Sequence, residues 1–411
     1  MVAYRTLLAL LAIVVTGLMI ESTKQLVHKK YCTGYNKKMN SKERKELRYQ
    51  RRKKKRLEKK AEFYSQLGGF EDVFSFDNLY KTYKLCCNGV GWKTATQLYK
   101  INDLYNINAL YKKLVEGKFK SKGFHNFTIM ERGKKREIQS VCFEERIVQR
   151  CLCDNYLMPI IERSLIYDSA ACIKLKGIDF ALNRMNLHLR QHYLKHGNDG
   201  YVLVFDFSQY FKNIKHDVIY KVLAEKMPDG RILSFIKSII NNYDEGLGLG
   251  SQVSQSCALL LPNALDHWIK TRLKIKHYAR YMDDGYIIHH DKEYLKYCLA
   301  EIKRICSDFG IVLNEKKTQI IKLSRGVRFL KTKFILTKTG KIIRKPNKKN
   351  ITAMRRKLKS FKRLYDEGRI EFLAIKHCFV SWTGQQLRFN SYWARRRMKR
   401  LFGSLFYKEI V

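Results

Sequence analysis

Two adjacent aspartates, Asp283 and Asp284, lie between a short strand-like segment and an apolar run. The flanking sequence is Tyr278-Ala279-Arg280-Tyr281-Met282 before the acids and Gly285-Tyr286-Ile287-Ile288 after them. This pattern is typical of two strands joined by a tight turn. Strands disfavour aspartate, and neighbouring carboxylates repel each other unless a positive charge lies beside them. The acids therefore predict a hairpin placed next to a cation, and a pair of divalent metal ions would supply that charge.

The chain carries a large excess of positive charge. Its 411 residues include 82 Lys and Arg against 37 Asp and Glu, a formal net charge of +45. Such an excess repels itself in a compact state, and binding to a polyanion offsets the repulsion. The basic residues run through the whole sequence, interleaved with 25 Tyr and 22 Phe. This distribution favours a long groove for nucleic acid, with an anionic membrane surface as the competing interpretation.

Four regions are predicted along the chain. Residues 1–28 form an apolar leader or a short membrane anchor, and residues 29–68 form a basic N-terminal extension, either a solvated segment or a phosphate-binding arm. Residues 69–339 alternate helical patterns with short apolar strands, whereas residues 340–411 are basic, aromatic and helical in pattern. The length is sufficient for two or three structural units with a sizeable core.

The leader has two interpretations. Its apolar run, Thr6 to Ile20, is shorter than the roughly 20 residues that span a bilayer comfortably. It is either a membrane anchor through residues 6–20, with the rest of the chain on the cytoplasmic side, or an upstream start that adds non-functional residues. The eleven cysteines lack a repeated C-x-x-C pattern, which predicts reduced, mostly buried thiols in a cytoplasmic protein.

A third acid, Asp206, follows the apolar run Tyr201-Val202-Leu203-Val204-Phe205. Such a run predicts a central strand covered on both faces, with Asp206 at its carboxyl end. A central strand and a neighbouring hairpin can bring Asp206 close to Asp283 and Asp284. Nucleotidyl transfer uses two Mg²⁺ ions roughly 4 Å apart, and carboxylates with substrate phosphates are sufficient to hold them. Helical patterns are predicted over Glu145–Arg163 and, after a glycine-rich turn at 246–250, from about Ser254 to Arg272.

The segment from about Lys134 to Leu336 resembles reverse transcriptases, the RNA-directed DNA polymerases. The similarity runs through several motifs in the family's order and covers about half of the chain. It implies an α+β right-hand polymerase fold with fingers, a palm on a mixed or antiparallel sheet, and a basic helical thumb. The partners it implies are an RNA template, a DNA product and deoxynucleoside triphosphates. The cofactor it implies is a pair of Mg²⁺ ions, for which Mn²⁺ can substitute.

The resemblance assigns roles to individual residues. Phe205-Asp206-Phe207-Ser208-Gln209-Tyr210-Phe211 is similar to the first palm motif, and Tyr281-Met282-Asp283-Asp284 to the hallmark palm hairpin. It implies that Asp206, Asp283 and Asp284 are the catalytic carboxylates and metal ligands. The nucleotide-binding residues it implies are Arg136, Phe207, Phe211, Leu249, Gly250, Gln255 and Lys317. The template–primer contacts it implies are Tyr281, Met282, Phe329 and Leu330.

Several of these roles come from specific motifs. Arg136 belongs to a segment beginning at Arg132 that resembles the basic fingers motif, which meets the incoming triphosphate. Phe211 matches the aromatic gate that excludes a ribose 2′-hydroxyl. The segment 313–318 resembles the motif whose lysine, Lys317 in this chain, lies near the triphosphate. The segment 326–330 resembles the hairpin that grips the primer end, although Lys331 stands where glycine is usual.

The segment Leu249-Gly250-Ser251-Gln252-Val253-Ser254-Gln255 departs from the Gln-Gly-x-x-x-Ser-Pro of retroviral and group II intron enzymes. This variant resembles bacterial and phage enzymes, namely those of diversity-generating retroelements and of poorly defined groups that include phage-defence types. Leu249 cannot hydrogen-bond to a nucleotide sugar, so low fidelity is expected. The alternatives are a phage-defence enzyme with a dedicated non-coding RNA or accessory protein, and an RNA-binding protein with a vestigial site. An RNA-templated RNA polymerase is disfavoured by Phe211.

Overall fold

The computed structural model describes residues 40–131 and 134–407. The predicted leader at 1–28, with its candidate anchor, lies outside the described residues, as do Arg132 and Gly133 of the fingers motif. The chain divides into two compact units between Gln66 and Leu67. Among the described helices, none combines the length and apolar character that crossing a membrane requires.

The described part of the basic extension is one helix, α1 (Ser41–Leu67). At its start the N–H of Glu43 donates to Asn40 Oδ1 at 2.8 Å, and the N–H of Asn40 donates to the Glu43 carboxylate at 3.0 Å. These reciprocal bonds satisfy backbone donors that a helix start leaves free. None of the 27 residues of α1 is buried. The described part of the basic extension is therefore a solvent-exposed helix.

The second unit begins with helices and a two-stranded antiparallel ribbon, and a π-helical turn over Cys153–Leu157 separates two of its helices. The elements in chain order are α2 (Phe70–Val73), α3 (Phe76–Cys87), α4 (Thr94–Ile101), α5 (Asp103–Val115), β1 (Phe124–Glu131), β2 (Lys134–Val141), α6 (Phe143–Leu152), α7 (Met158–Ser164) and α8 (Ile178–His196). The helical pattern predicted over Glu145–Arg163 lies within α6, the π-helical turn and α7.

A four-stranded sheet follows, with the strand order β4-β5-β3-β6 and antiparallel pairing throughout. Its region contains β3 (Tyr201–Asp206), α9 (Tyr210–Asn213), α10 (His216–Lys226), α11 (Gly230–Ile240), α12 (Gln252–Leu260), α13 (Asn263–Thr271), β4 (Tyr278–Tyr281), β5 (Asp284–His289), α14 (Lys292–Asp308) and β6 (Gln319–Lys322). As predicted, β3 is a central strand. Val202 packs with α8 on one face, and Leu203 and Phe205 on the other face are also buried.

The helix predicted from about Ser254 to Arg272 is wrong in its continuity, because α12 and α13 are separate helices. The hydroxyl of Ser251 accepts the N–H of Ser254 at 3.1 Å and caps α12. Pro262 lies between the two helices, and proline has no N–H to continue the helical hydrogen-bond ladder.

The C-terminal part contains a three-stranded antiparallel sheet and three helices. The elements are β7 (Val327–Phe329), β8 (Thr332–Leu336), β9 (Ile342–Lys345), α15 (Lys348–Asp366), α16 (Phe372–Gln386) and α17 (Tyr392–Leu405). The three helices share a core of their own, in which the Phe379 and Phe402 rings stack at 4.3 Å. The boundary predicted at 339/340 falls between β8 and β9, inside this sheet. The cysteines in the described residues are free, and most are buried.

Candidate active site

The three predicted acids meet at one end of the four-stranded sheet. Asp206 ends β3 and lies directly opposite Asp284, the first residue of β5, in the antiparallel register. Asp283 belongs to the turn between β4 and β5, and its carbonyl accepts the N–H of Phe207 at 3.2 Å. The structure therefore brings together carboxylates that are 77 and 78 residues apart in sequence, counted from Asp206.

The turn that carries the acids has a constrained backbone. Met282 has a φ of 53°, in the left-handed region that non-glycine residues rarely adopt. Gly285, just after the acids, lies against the ring of Phe205, and a Cβ at this position would be 2.3 Å from the ring. Only glycine therefore allows β5 to approach β3 this closely. The hairpin is held in one position relative to the central strand.

A buried ion pair supports the turn from within the protein. Arg280 contacts Asp266 through Nε at 2.8 Å and Nη2 at 2.6 Å, and both side chains are fully buried. Arg280 Nη1 also donates to the carbonyl of Met282 at 2.8 Å. The hydroxyl of Tyr278 donates to the same carboxylate of Asp266. Burial opposes the charge of Arg280, but Asp266 outweighs it and raises the pKa of the guanidinium. Sequence reasoning missed this pair, although an arginine beside the acids in a mostly apolar strand was an available signal.

The environment of the acids disfavours their negatively charged form. Burial, together with the carboxylates of Asp283 and Asp206, raises the pKa of Asp284 to about 7. Burial also raises the pKa of Asp283, and Asp206 adds to the rise. Lys317 Nζ lies 2.6 Å from Asp206 Oδ2 and supplies one positive charge. Burial opposes the charge of Lys317, but Asp206 raises its pKa overall. The charge of Arg136 also lowers the pKa of Asp283, but two cations against three carboxylates still leave an excess of negative charge that further cations would neutralise.

A cavity of about 850 Å³ lies between the fingers ribbon and the palm. It is lined by Arg136 from β2, Phe211 from α9, and Leu249 from the glycine-rich turn. The N–H of Gln139 in β2 donates to the carbonyl of Leu249 at 3.0 Å and joins the two walls. Gly250 has a φ of 121°, and a Cβ there would be 2.8 Å from the Gln139 carbonyl. The structure thus places three of the predicted nucleotide-binding side chains around one space, with Gly250 at its edge.

Other predicted nucleotide-binding residues lie elsewhere. Phe207 is 2% exposed and packs against Phe205 and Tyr210, so its side chain belongs to the core rather than to the cavity. Gln255 is exposed on α12 and does not line the cavity. Lys317 contacts the acids through Asp206. Phe207 lies two residues after Phe205 and packs against it, so the core takes up its ring.

Of the residues predicted to contact the template–primer, some lie beside the acids and others do not. Tyr281 and Met282 are half-buried beside the acids. Phe329 is 4% exposed and packs edge-on against the ring of Tyr286, so it anchors its hairpin in the core. Leu330 and Lys331 form the turn between β7 and β8, with φ values of 45° and 64°. A two-residue hairpin turn with two positive φ values favours glycine, so Lys331 adopts here the conformation of the usual glycine.

The carboxylates fit Mg²⁺ in chemical type. Mg²⁺ prefers oxygen ligands and usually keeps several waters or substrate phosphates in its coordination shell. Among residues 40–131 and 134–407, no group of three or more His, Cys, Asp and Glu side chains is arranged to hold a metal ion by itself. An open set of acids that needs substrate oxygens to complete a site is consistent with both facts.

One protein family matches the chain. The reverse transcriptase (RNA-dependent DNA polymerase) family matches residues 120–334. Telomerase from Candida albicans, in complex with the TWJ fragment of telomeric RNA, is 15% identical, with 70% of this chain and 55% of that chain covered and a TM-score of 0.45. Apo telomerase from Candida tropicalis, truncated from the C-terminal domain, is 13% identical, with 54% and 55% covered and a TM-score of 0.43.

The chain spans about half the length of these telomerase chains. No curated protein sequence matches it significantly. The family match covers just over half of the chain and includes Asp206, Asp283 and Asp284. The predicted right-hand polymerase fold is confirmed, with an antiparallel palm sheet. The chain therefore belongs to the reverse transcriptase (RNA-dependent DNA polymerase) family.

Proposed function

We propose that the chain copies an RNA template into DNA by two-metal nucleotidyl transfer at Asp206, Asp283 and Asp284. The observation that carries the proposal is the meeting of these three acids at the end of β3 and β5, with Asp206 directly opposite Asp284. A purely structural trio of acids would be expected to lie at the surface or to be fully paired. Here burial and mutual repulsion raise the pKa of both Asp283 and Asp284.

The residues of the chain have distinct tasks in this reaction. Asp206 and Asp283 hold the divalent ions, Mg²⁺ or Mn²⁺, and Asp284 is their acidic neighbour. When bound, the ions would activate the primer 3′-hydroxyl and neutralise charge on the leaving pyrophosphate. Lys317, already within 2.6 Å of Asp206, brings a positive charge to the triphosphate. Arg280 holds the Met282 carbonyl and thereby the position of the turn.

Nucleotide selection takes place in the cavity between fingers and palm. Arg136 meets the triphosphate, and Phe211 excludes the 2′-hydroxyl of a ribonucleotide. Leu249 presents an apolar side chain and has no hydrogen-bonding group for the sugar, so discrimination between correct and incorrect nucleotides is weakened. All three side chains line this cavity. We infer a low-fidelity enzyme on this basis.

We further propose how the remaining regions contribute. Residues 69–339 form the fingers and palm, and residues 340–411 form a thumb whose basic helices grip the template–primer. The basic extension at 29–68 binds phosphates, and residues 6–20 attach the chain to a membrane if they act as an anchor. The setting is the bacterial cytoplasm, in a retroelement with low fidelity. A phage-defence enzyme with a dedicated non-coding RNA or accessory protein is the second candidate, because the Leu249 to Gln255 segment resembles both groups equally.

Primer extension on an RNA template tests the proposal. The parent should extend a DNA primer with deoxynucleotides and Mg²⁺, and Asp283→Asn should reduce extension to background. The matched control is Asp229→Asn, since Asp229 caps α11 by accepting the N–H of Ile232 at 2.9 Å and asparagine caps equally well. The control should keep parental activity. If the parent makes no product with a DNA, RNA or protein primer, the chain is an RNA-binding protein with a vestigial site.

A further inference from the structure

A second concave site lies at the opposite end of the palm sheet from the acids. Tyr201 pairs with His289 at this end, whereas Asp206 pairs with Asp284 at the other. Five residues of extended strand separate the two ends, roughly 17 Å. The cavity has a volume of about 610 Å³. Its lining, named here the histidine pocket, includes His192, Lys195, His196, Arg272, Lys274, Lys276, His277, His289, His290 and Asp291.

The rim of the histidine pocket is strongly basic. Lys195 comes from the end of α8, and Arg272, Lys274 and Lys276 come from the segment between α13 and β4. All four are exposed, and none forms an ion pair with an acid of the described chain. The lining contains one acid, Asp291, whose carboxylate accepts the N–H groups of Glu293 and Tyr294 and caps α14. Uncompensated positive charge around a cavity is suited to an anionic ligand.

The interior of the histidine pocket is a row of imidazole rings. The rings of His196 and His290 stack with centroids 4.5 Å apart and planes 12° apart. His192 continues the row at 5.1 Å from His196, and His289 lies 4.4 Å from His290. The Nδ1 atom of His277 is buried and has no hydrogen-bond partner in the described chain. Such rings present flat faces for stacking and nitrogens that donate to phosphate when protonated.

We propose that the histidine pocket binds a single-stranded segment of RNA outside the polymerase cleft. Phosphates would lie against the four basic side chains of the rim, and a base would lie against the exposed His196 and His290 rings. Basic side chains that follow the backbone, combined with rings that stack on bases, are how proteins hold single strands without sequence preference. An acidic peptide could pair with the basic side chains of the rim, but it would bring no nucleobase to the histidine rings. The site would retain RNA while the cleft at Asp206 acts on the 3′ end.

The salt dependence of RNA binding tests the rim. Binding of a fluorescent 12-nucleotide RNA to the full chain is measured by anisotropy at several salt concentrations. The triple variant Lys195→Gln, Lys274→Gln, Lys276→Gln should lower the slope of log affinity against log salt by about 2, because each phosphate contact to a single strand contributes about 0.7. The control triple variant Lys81→Gln, Lys221→Gln, Lys303→Gln removes the same charge from exposed positions outside the pocket. Equal slopes for the two triple variants would overturn the proposal.

The pH dependence of binding tests the imidazole row. Burial lowers the pKa of His192, His277 and His289, and neighbouring histidines lower it further. Besides the rim cations, Lys270 faces these rings, the facing acid is Asp291, and the backbone carbonyl of Asp199 lies 2.7 Å from His192 Nε2. A bound phosphate favours the protonated rings, so affinity should rise as pH falls. If it raises two pKa values by about half a unit each, binding should tighten by up to about tenfold once the pH falls below those lowered pKa values, compared with binding at pH 8.

The double variant His277→Gln, His289→Gln should lose much of this response to pH, because the lowered pKa values belong to these rings. Both side chains are half-buried, and glutamine keeps their polar character and similar size, so the fold tolerates the change. The same response in parent and variant would show that the pocket does not hold the RNA. Complete displacement of the RNA from the parent by millimolar adenosine monophosphate would assign the pocket to free nucleotides instead. Primer extension on a short template–primer should stay at the parental rate, which separates failure here from failure of the proposed polymerase site.

Discussion

The buried pair of Asp266 and Arg280 predicts a large stability loss when one partner loses its charge. In Asp266→Asn the shape is kept, but the guanidinium of Arg280 stays fully buried without a carboxylate. Removing one partner of a buried pair costs about 3–5 kcal/mol of unfolding free energy, because an uncompensated charge is left in the interior. Urea denaturation followed by circular dichroism measures the loss. The same experiment on Asp308→Asn, whose exposed pair with Arg304 is 3.7 Å long, should show less than about 1 kcal/mol.

A double variant separates stability from the position of the turn. Asp266→Leu with Arg280→Met removes both charges, so it should recover most of the stability that Asp266→Asn loses. It also removes the donor to the Met282 carbonyl, which Arg280 Nη1 supplies at 2.8 Å. We therefore expect a fall in kcat for primer extension in a protein that is otherwise folded. A loss in Asp266→Asn no larger than in Asp308→Asn, or a double variant with parental kcat, would refute this reasoning.

Three further outcomes are expected. Leu249→Gln should lower the misincorporation rate several-fold by restoring a hydrogen bond to the sugar, and equal error rates would contradict the low-fidelity proposal. Phe211→Val should increase ribonucleotide incorporation relative to deoxyribonucleotides in single-nucleotide assays, and an unchanged ratio would remove Phe211 from the gate. His188 is buried, with its Nδ1 2.9 Å from the Tyr286 hydroxyl, and burial lowers its pKa to about 3. As pH falls below 6.5 only the unfolded chain gains this proton, so unfolding free energy should drop by about 2 kcal/mol between pH 7 and pH 5. His188→Gln should remove that part of the slope in urea titrations at the two pH values.

The elements with strong local patterns could be predicted from sequence. The apolar run ending in Asp206 is the central strand β3. Asp283 lies in the turn before β5, and Asp284 is the first residue of β5. Both follow from hydrophobic patterning and from the poor fit of adjacent acids to a strand. The single helix predicted across Pro262 is two helices because a missing N–H outweighed a continuous apolar pattern.

The features that could not be predicted depend on contacts between distant residues. Phe207 follows Asp206 directly, yet its ring is buried, and the side of a strand end that faces the core is decided only by packing. Asp266 has no sequence feature that marks it as the partner of Arg280. The histidine pocket assembles residues from α8, the segment before β4, and the end of β5.

The sequence by itself was sufficient to predict the family of the chain and the strands that carry the acids. The acids and the motifs around them contain that information. Only the tertiary structure showed which contacts hold those acids in place and that the palm also carries the histidine pocket. Register explains the difference. The antiparallel pairing of β3 with β5 places Asp206 opposite Asp284 at one end and Tyr201 opposite His289 at the other. One set of hydrogen bonds thus brings Asp206 and Asp284 together in the candidate active site and contributes to the histidine pocket, and such pairing forms only when segments distant in sequence pack together.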